Sequence, residues 1–150
     1  MVFNSLKKGH KFELVVAKWL TQVTGVAFYR VPMSGAAATN QKLENWHGDV
    51  YSESPGWKDL IVECKSYKKA VSLGDINNPK SKFNEWIAQT EKEAGGKSWL
   101  LFFKSNHGST FVLSNTHDHL TYALDNSLHK VFSSCTLVAK IREYLLFELP

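Results

Sequence analysis

Only two cysteines, Cys64 and Cys135, occur in the 150 residues, and no CxxC spacing joins them. That excludes a disulfide scaffold and a cysteine-built zinc site, and it points to a reducing, intracellular setting. No N-terminal apolar stretch has the length of a signal peptide, and no run approaches the roughly 20 apolar residues of a membrane span. The expectation is a soluble, cytoplasmic protein with no membrane partner. Internal repeats, low-complexity tracts and linker-like shifts in composition are missing as well, so residues 1–150 are expected to form one domain. Neither a Gly-rich phosphate loop nor a nucleophile elbow is present, which removes two common routes to phosphate and ester chemistry.

What the chain does have is a sufficient apolar content. Hydrophobic residues make up 43% and aromatics 13%, enough for a core without disulfides or a structural metal. Eighteen Lys and Arg against 14 Asp and Glu leave a formal charge of +4, with a sequence pI near 9.0. Such a mild basic excess permits a polyanionic partner without demanding one. Placement says more than the total. Lys7, Lys8, His10 and Lys11 crowd the front of the first predicted helix, Arg30 ends a predicted strand, and Lys65, Lys68, Lys69, Lys80 and Lys82 follow the acidic motif described below. Most could be a solvated charged surface, yet they share segments with the candidate site, which favours a face for nucleic acid.

Apolar residues at Phe12, Val15, Val16, Trp19, Leu20 and Val23 predict an amphipathic helix over Ser5 to Thr24, stopped by Gly25. Val26 to Val31 reads as a strand, Met33 to Asn40 as a loop, and Gly48 to Tyr51 with Lys58 to Lys65 as a hairpin turning at Pro55-Gly56. Ser81 to Ala94 is a second amphipathic helix ended by Gly95-Gly96, followed by strands at Ser98 to Phe103 and Thr110 to Leu113. Val138 to Leu149 fits a terminal helix or an edge strand, with the helix preferred. The order implies an α/β fold, a central mixed sheet of about five strands flanked by helices.

Glu63-Cys64-Lys65 closes an apolar run. In a strand, alternate side chains share a face, so Glu63 and Lys65 point one way while Cys64 points into the packing. The hairpin brings Asp49 alongside. Two carboxylates can hold a hard divalent cation such as Mg²⁺, and a lysine beside them can orient water, help deprotonate it or stabilise charge in the transition state. That is equipment for phosphodiester hydrolysis. Glu63 in an apolar strand is costly unless something compensates its charge. Asp59 shares strand parity with Glu63 but lies about 13 Å away along the strand, too far to share an ion. Glu13, at the edge of the first helix's apolar stripe, faces water or leans over the sheet. His117-Asp118-His119 and Asn106-His107 hint at a metal clip or an HNH-type site, but neither has partners at ligand spacing, so polar loops are the better account.

Taken together, Lys8-Gly9 before Phe12-Glu13, the Arg30-Val31-Pro32-Met33-Ser34-Gly35 segment, Asp49 and Glu63-Cys64-Lys65 resemble the PD-(D/E)xK nuclease superfamily. The pattern is most similar to archaeal-type Holliday junction resolvases and their phage relatives, over about Lys8 to Leu113. The resemblance implies a restriction-endonuclease-like fold and Glu13, Asp49 and Glu63 as metal ligands, with Lys65 and Ser34 also catalytic. It implies Lys7, Lys8, Lys11, Arg30, Ser34, Lys68, Lys69 and Gln89 as DNA contacts. Gly48 departs from it, standing where the family's name has a proline that shapes the turn and binds no metal. The implied activity is a Mg²⁺-dependent endonuclease, with Mn²⁺ as substitute, that nicks opposite strands of four-way junctions as a homodimer. A compact nuclease of this kind suits a phage or mobile element. Alternatives are a phage-type endonuclease with broader or sequence-directed cutting and a non-catalytic DNA-binding domain.

Overall fold

The computed structural model describes residues 2–32, 48–115 and 126–150, with side chains from residue 9 in the first stretch and from residue 128 in the last. Helix α1 spans Val2–Thr24. Its buried residues Phe12, Val16, Ala17 and Leu20 recur at helical spacing and cover one face of the sheet. Val15 was expected in that stripe but is 53% exposed. A step of about 100° per residue carries it past the edge of the narrow buried face.

Strands β1 (Tyr29–Arg30), β2 (Val50–Tyr51) and β3 (Ile61–Tyr67) follow. Helices α2 (Leu73–Asn77) and α3 (Lys82–Ala94) come next, then β4 (Trp99–Ser105) and β5 (Thr110–Ser114). Helix α4 (Asn126–Ser133) precedes β6 (Thr136–Ile141) and β7 (Tyr144–Glu148). The strands form one seven-stranded sheet in the order β1-β2-β3-β4-β5-β7-β6. Only β3 and β4 run parallel; the other neighbours are antiparallel. A parallel join needs a crossover, and α2 and α3 supply it.

Strand alternation sorts the core into two layers. Val62, Cys64, Leu100, Phe102 and Val112 face α1 and α4. Ile61, Leu101, Phe103 and Leu113 face α3, whose Phe83, Trp86 and Ile87 are buried against them. Helix α3 begins at the N-cap Ser81, whose side chain accepts from the Asn84 backbone N–H, and ends at Gly95 in the left-handed conformation, as Gly95-Gly96 led one to expect. The mixed sheet flanked by helices is the expected architecture, consistent with a restriction-endonuclease-like fold.

The chain's last part departs from expectation. Val138 to Leu149 is not a helix but most of the β6–β7 hairpin, which raises the strand number from about five to seven. Leu145, Leu146 and Phe147 are buried in succession between β5 and β6, the continuous apolar run of a strand covered on both faces. Among the described residues no helix is long and apolar enough to cross a membrane.

Candidate active site

Asp49 is fixed by the backbone around it. Its N–H donates to the Val62 carbonyl at 2.7 Å, and its carbonyl accepts from the Val31 N–H at 2.8 Å. Its side-chain Oδ2 accepts from the Cys64 N–H at 2.8 Å. Strand β2 begins only at Val50, so the carboxylate caps a backbone donor of β3 just beyond the paired residues. Gly48 makes this possible. Its φ is +76°, and a Cβ there would stand 2.5 Å from the Val62 carbonyl oxygen. Proline, fixed near −65°, cannot adopt that backbone, so the departure from the family's name at this position is a steric requirement of this chain.

Glu63 lies across from Asp49 and is 3% exposed. Burial pushes its carboxyl far above the ordinary carboxylate range, and hydrogen bonding to Glu93 on α3 and the Asp49 charge push it the same way. Asp49 is also a side-chain hydrogen-bond partner of Glu63. Two acids held this close cannot both ionise cheaply without a cation. Their oxygens form a donor set that could hold a hard divalent ion, completed by water and phosphate oxygens as Mg²⁺ prefers. Among the described residues no three His, Cys, Asp or Glu side chains are gathered as a metal cluster.

Glu13 stands nearby on α1. Burial raises its carboxyl to about 7 and the Asp49 charge adds to this, while Arg30 and Lys65 oppose it. Arg30 Nη1 lies 3.7 Å from Glu13 Oε2 and donates to the Val31 carbonyl at 3.2 Å, so the arginine faces the carboxylates. Lys65, on the same side of β3 as Glu63, donates from Nζ to Gln89 Oε1 at 3.1 Å. The helix residue that the resemblance implied as a DNA contact therefore touches the lysine. Cys64 points into the α1-side core, as strand parity predicted, and burial raises its thiol well above the usual value.

Asp59 pairs with Lys97 on the surface, 3.6 Å apart. Lys11, Lys68, Lys69 and Gln89 are exposed. Ser34 lies outside the described residues, as do the side chains of Lys7 and Lys8, the loop from Met33 to Asn40 and His117 to His119. Glu93 was not anticipated. It follows Gln89 by one helical turn, so the i, i+4 spacing was a signal that both face β3. An apolar cavity of about 180 Å³ lined by Phe83, Trp86, Phe103 and Phe111 lies farther along this face, and none of the site carboxylates lines it.

The family model described as "Phage putative PDDEXK endonuclease" matches residues 4–147, almost the whole chain. The chain belongs to this endonuclease family. Protein D14 of Escherichia phage T5 is 28% identical over 138 residues, spanning 89% of this chain and 84% of the relative. No solved structure gives a significant match. The PDDEXK endonuclease match extends over the β6–β7 hairpin, beyond the segment in which the motif residues lie.

Proposed function

We propose that this protein is a divalent-metal-dependent DNA endonuclease that cuts by water attack on a phosphodiester, with Asp49 and Glu63 holding the ion. The observation that carries this reading is a buried Glu63 in contact with the backbone-clamped Asp49, with Lys65 on the same face of β3. A bound Mg²⁺ would polarise the scissile phosphate and make water a better nucleophile near neutral pH, and Mn²⁺ is expected to substitute.

The chain's own groups divide the remaining work. Lys65, steadied by Gln89, offers its Nζ to a phosphate oxygen where negative charge grows in the transition state. Glu13 sits on the opposite flank, with a carboxyl that exchanges its proton near pH 7 and can hold or accept a proton from water. Ser34, Lys7, Lys8, Lys68 and Lys69 are proposed phosphate contacts, which would give affinity without base reading.

The finer reading is a structure-selective enzyme that nicks opposite strands of a four-way junction. The resemblance to resolvases supports it, and a homodimer would match the junction's two-fold symmetry. The phage endonuclease family equally supports broader cutting of duplex DNA. A nicking assay on a synthetic four-way junction and a matched duplex, with Mg²⁺ and with chelator, separates these. Junction-restricted, Mg²⁺-dependent nicking is the expected result; equal cutting of the duplex would remove the junction preference alone. Asp49→Ala should lower the rate on the order of 10²–10³-fold while DNA is still bound. A folded variant that cuts undiminished would remove the catalytic assignment.

A further inference from the structure

A polar row crosses the α1 face of the sheet where the apolar core stops. Cys64, Phe102 and Val112 lie side by side on β3, β4 and β5 and are buried. One pleat farther along, about 6.6 Å, their places are taken by Ser66, Lys104 and Thr110, which are register partners on the same three strands. Alternation puts this second triplet on the face that α1 covers, yet all three are only partly buried. Between the triplet and α1 lies a groove of about 350 Å³.

The charge in this groove has one sign. Lys11 from α1, Lys104 from β4 and His107 from the β4–β5 turn line it, and none of its lining residues among those described is acidic. The three ion pairs formed among described residues involve neither Lys11 nor Lys104. Lys104 Nζ is instead 5.7 Å from the centre of the Phe12 ring, so its ammonium is steered over the groove without being neutralised. His107 takes φ +61°, and Asn106 joins it at the groove wall. Hydroxyl, amide and ammonium groups without carboxylates make an anion-binding surface.

Its position decides which anion. Phe12 precedes Glu13 on α1, so the groove starts one residue from a member of the candidate site, while Ser66 follows Lys65 on β3 with the two side chains turned to opposite faces of the sheet. We propose that this groove carries the phosphodiester backbone of the DNA strand leading away from the cleaved bond, with Lys11 and Lys104 contacting successive phosphates. This rests on the endonuclease reading above and adds to it a path for the substrate along the α1 face. Lys104, Ser66, Asn106, His107 and Thr110 then become substrate-binding residues, and the exposed Val15 forms part of the wall.

The test is DNA binding by fluorescence anisotropy in chelator, where no cutting occurs, over a series of salt concentrations. Lys11→Met and Lys104→Met keep most of the aliphatic stem and remove the charge; Lys104→Arg restores it. Each Met variant should weaken binding roughly 5- to 10-fold near 0.1 M salt and reduce the log–log salt slope by about 0.9. Lys104→Arg should recover the slope. Lys130→Met, on the exposed side of α4, should change neither, and thermal melts establish that each variant is folded. Inorganic phosphate at concentrations that compete poorly with DNA indicates a run of phosphates, whereas equal competition would reduce the groove to a single-anion site and overturn the proposal. Unchanged slopes in both Met variants, with DNA still bound and cut in Mg²⁺, would overturn the groove and leave the endonuclease reading intact. Unaltered protein that neither binds nor cuts DNA would overturn both.

Discussion

Gly48 is the residue on which the geometry of Asp49 depends most directly. The positive φ and the 2.5 Å approach of a would-be Cβ to the Val62 carbonyl oxygen leave a side chain no room, and that same carbonyl accepts the Asp49 N–H. Gly48→Ala should destabilise the fold by about 1–3 kcal/mol and depress nicking beyond what the stability loss explains, measured by chemical denaturation and rate on one preparation. A second residue-scale expectation concerns pH. The Glu13 carboxyl rises from 4.5 to about 7 on folding, so the folded state holds the proton more tightly than the unfolded chain. That contribution is fully present below pH 4.5 and is lost as pH climbs through 7. With chelator present, the melting temperature should fall across this window, and Glu13→Gln should flatten the fall; identical profiles would contradict it. Glu63 and Lys65 were legible in the sequence because strand parity alone puts them on one face. Asp49's bond to the Cys64 N–H was not, since it depends on the pairing of two strands 15 residues apart in the chain.

At the scale of elements, amphipathic periodicity was enough to read α1 and α3, and Gly95-Gly96 to end the latter. The β6–β7 hairpin escaped because its turn carries no glycine or asparagine. Arg142 takes φ +55° instead, held by its bond to Asn84 Oδ1 at 2.6 Å and by the Tyr144 ring. Without a turn signal, a short apolar run fits either period. β6 is an edge strand, and it exposes Leu137 by 57% and Val138 by 49%. Such an edge invites pairing with another chain. Leu137→Lys should lower aggregation during concentration, followed by light scattering, and shift stability by no more than about 0.5 kcal/mol.

For the whole molecule, an ion held by the buried Glu63 and the partly buried Asp49, as proposed above, would couple folding to its binding. Any cation that binds the folded chain alone stabilises it, by about 2.7 kcal/mol at a hundredfold excess over its dissociation constant. Mg²⁺ should therefore raise the melting temperature of the unaltered protein, and Glu63→Gln should reduce that rise sharply; equal shifts in both would take the ion away from this pair. The single parallel join between β3 and β4 has its own consequence. The hairpin that presents Asp49 and Glu63 is complete by Tyr67, whereas Gln89, Glu93 and the flanking strand β4 arrive only after the crossover. A ribosome-bound chain that has emerged only through β3 contains both acids, the lysine and α1 but lacks the α3 face that carries Gln89 and Glu93. Under the endonuclease reading proposed above, cutting competence should therefore wait until synthesis has passed β4.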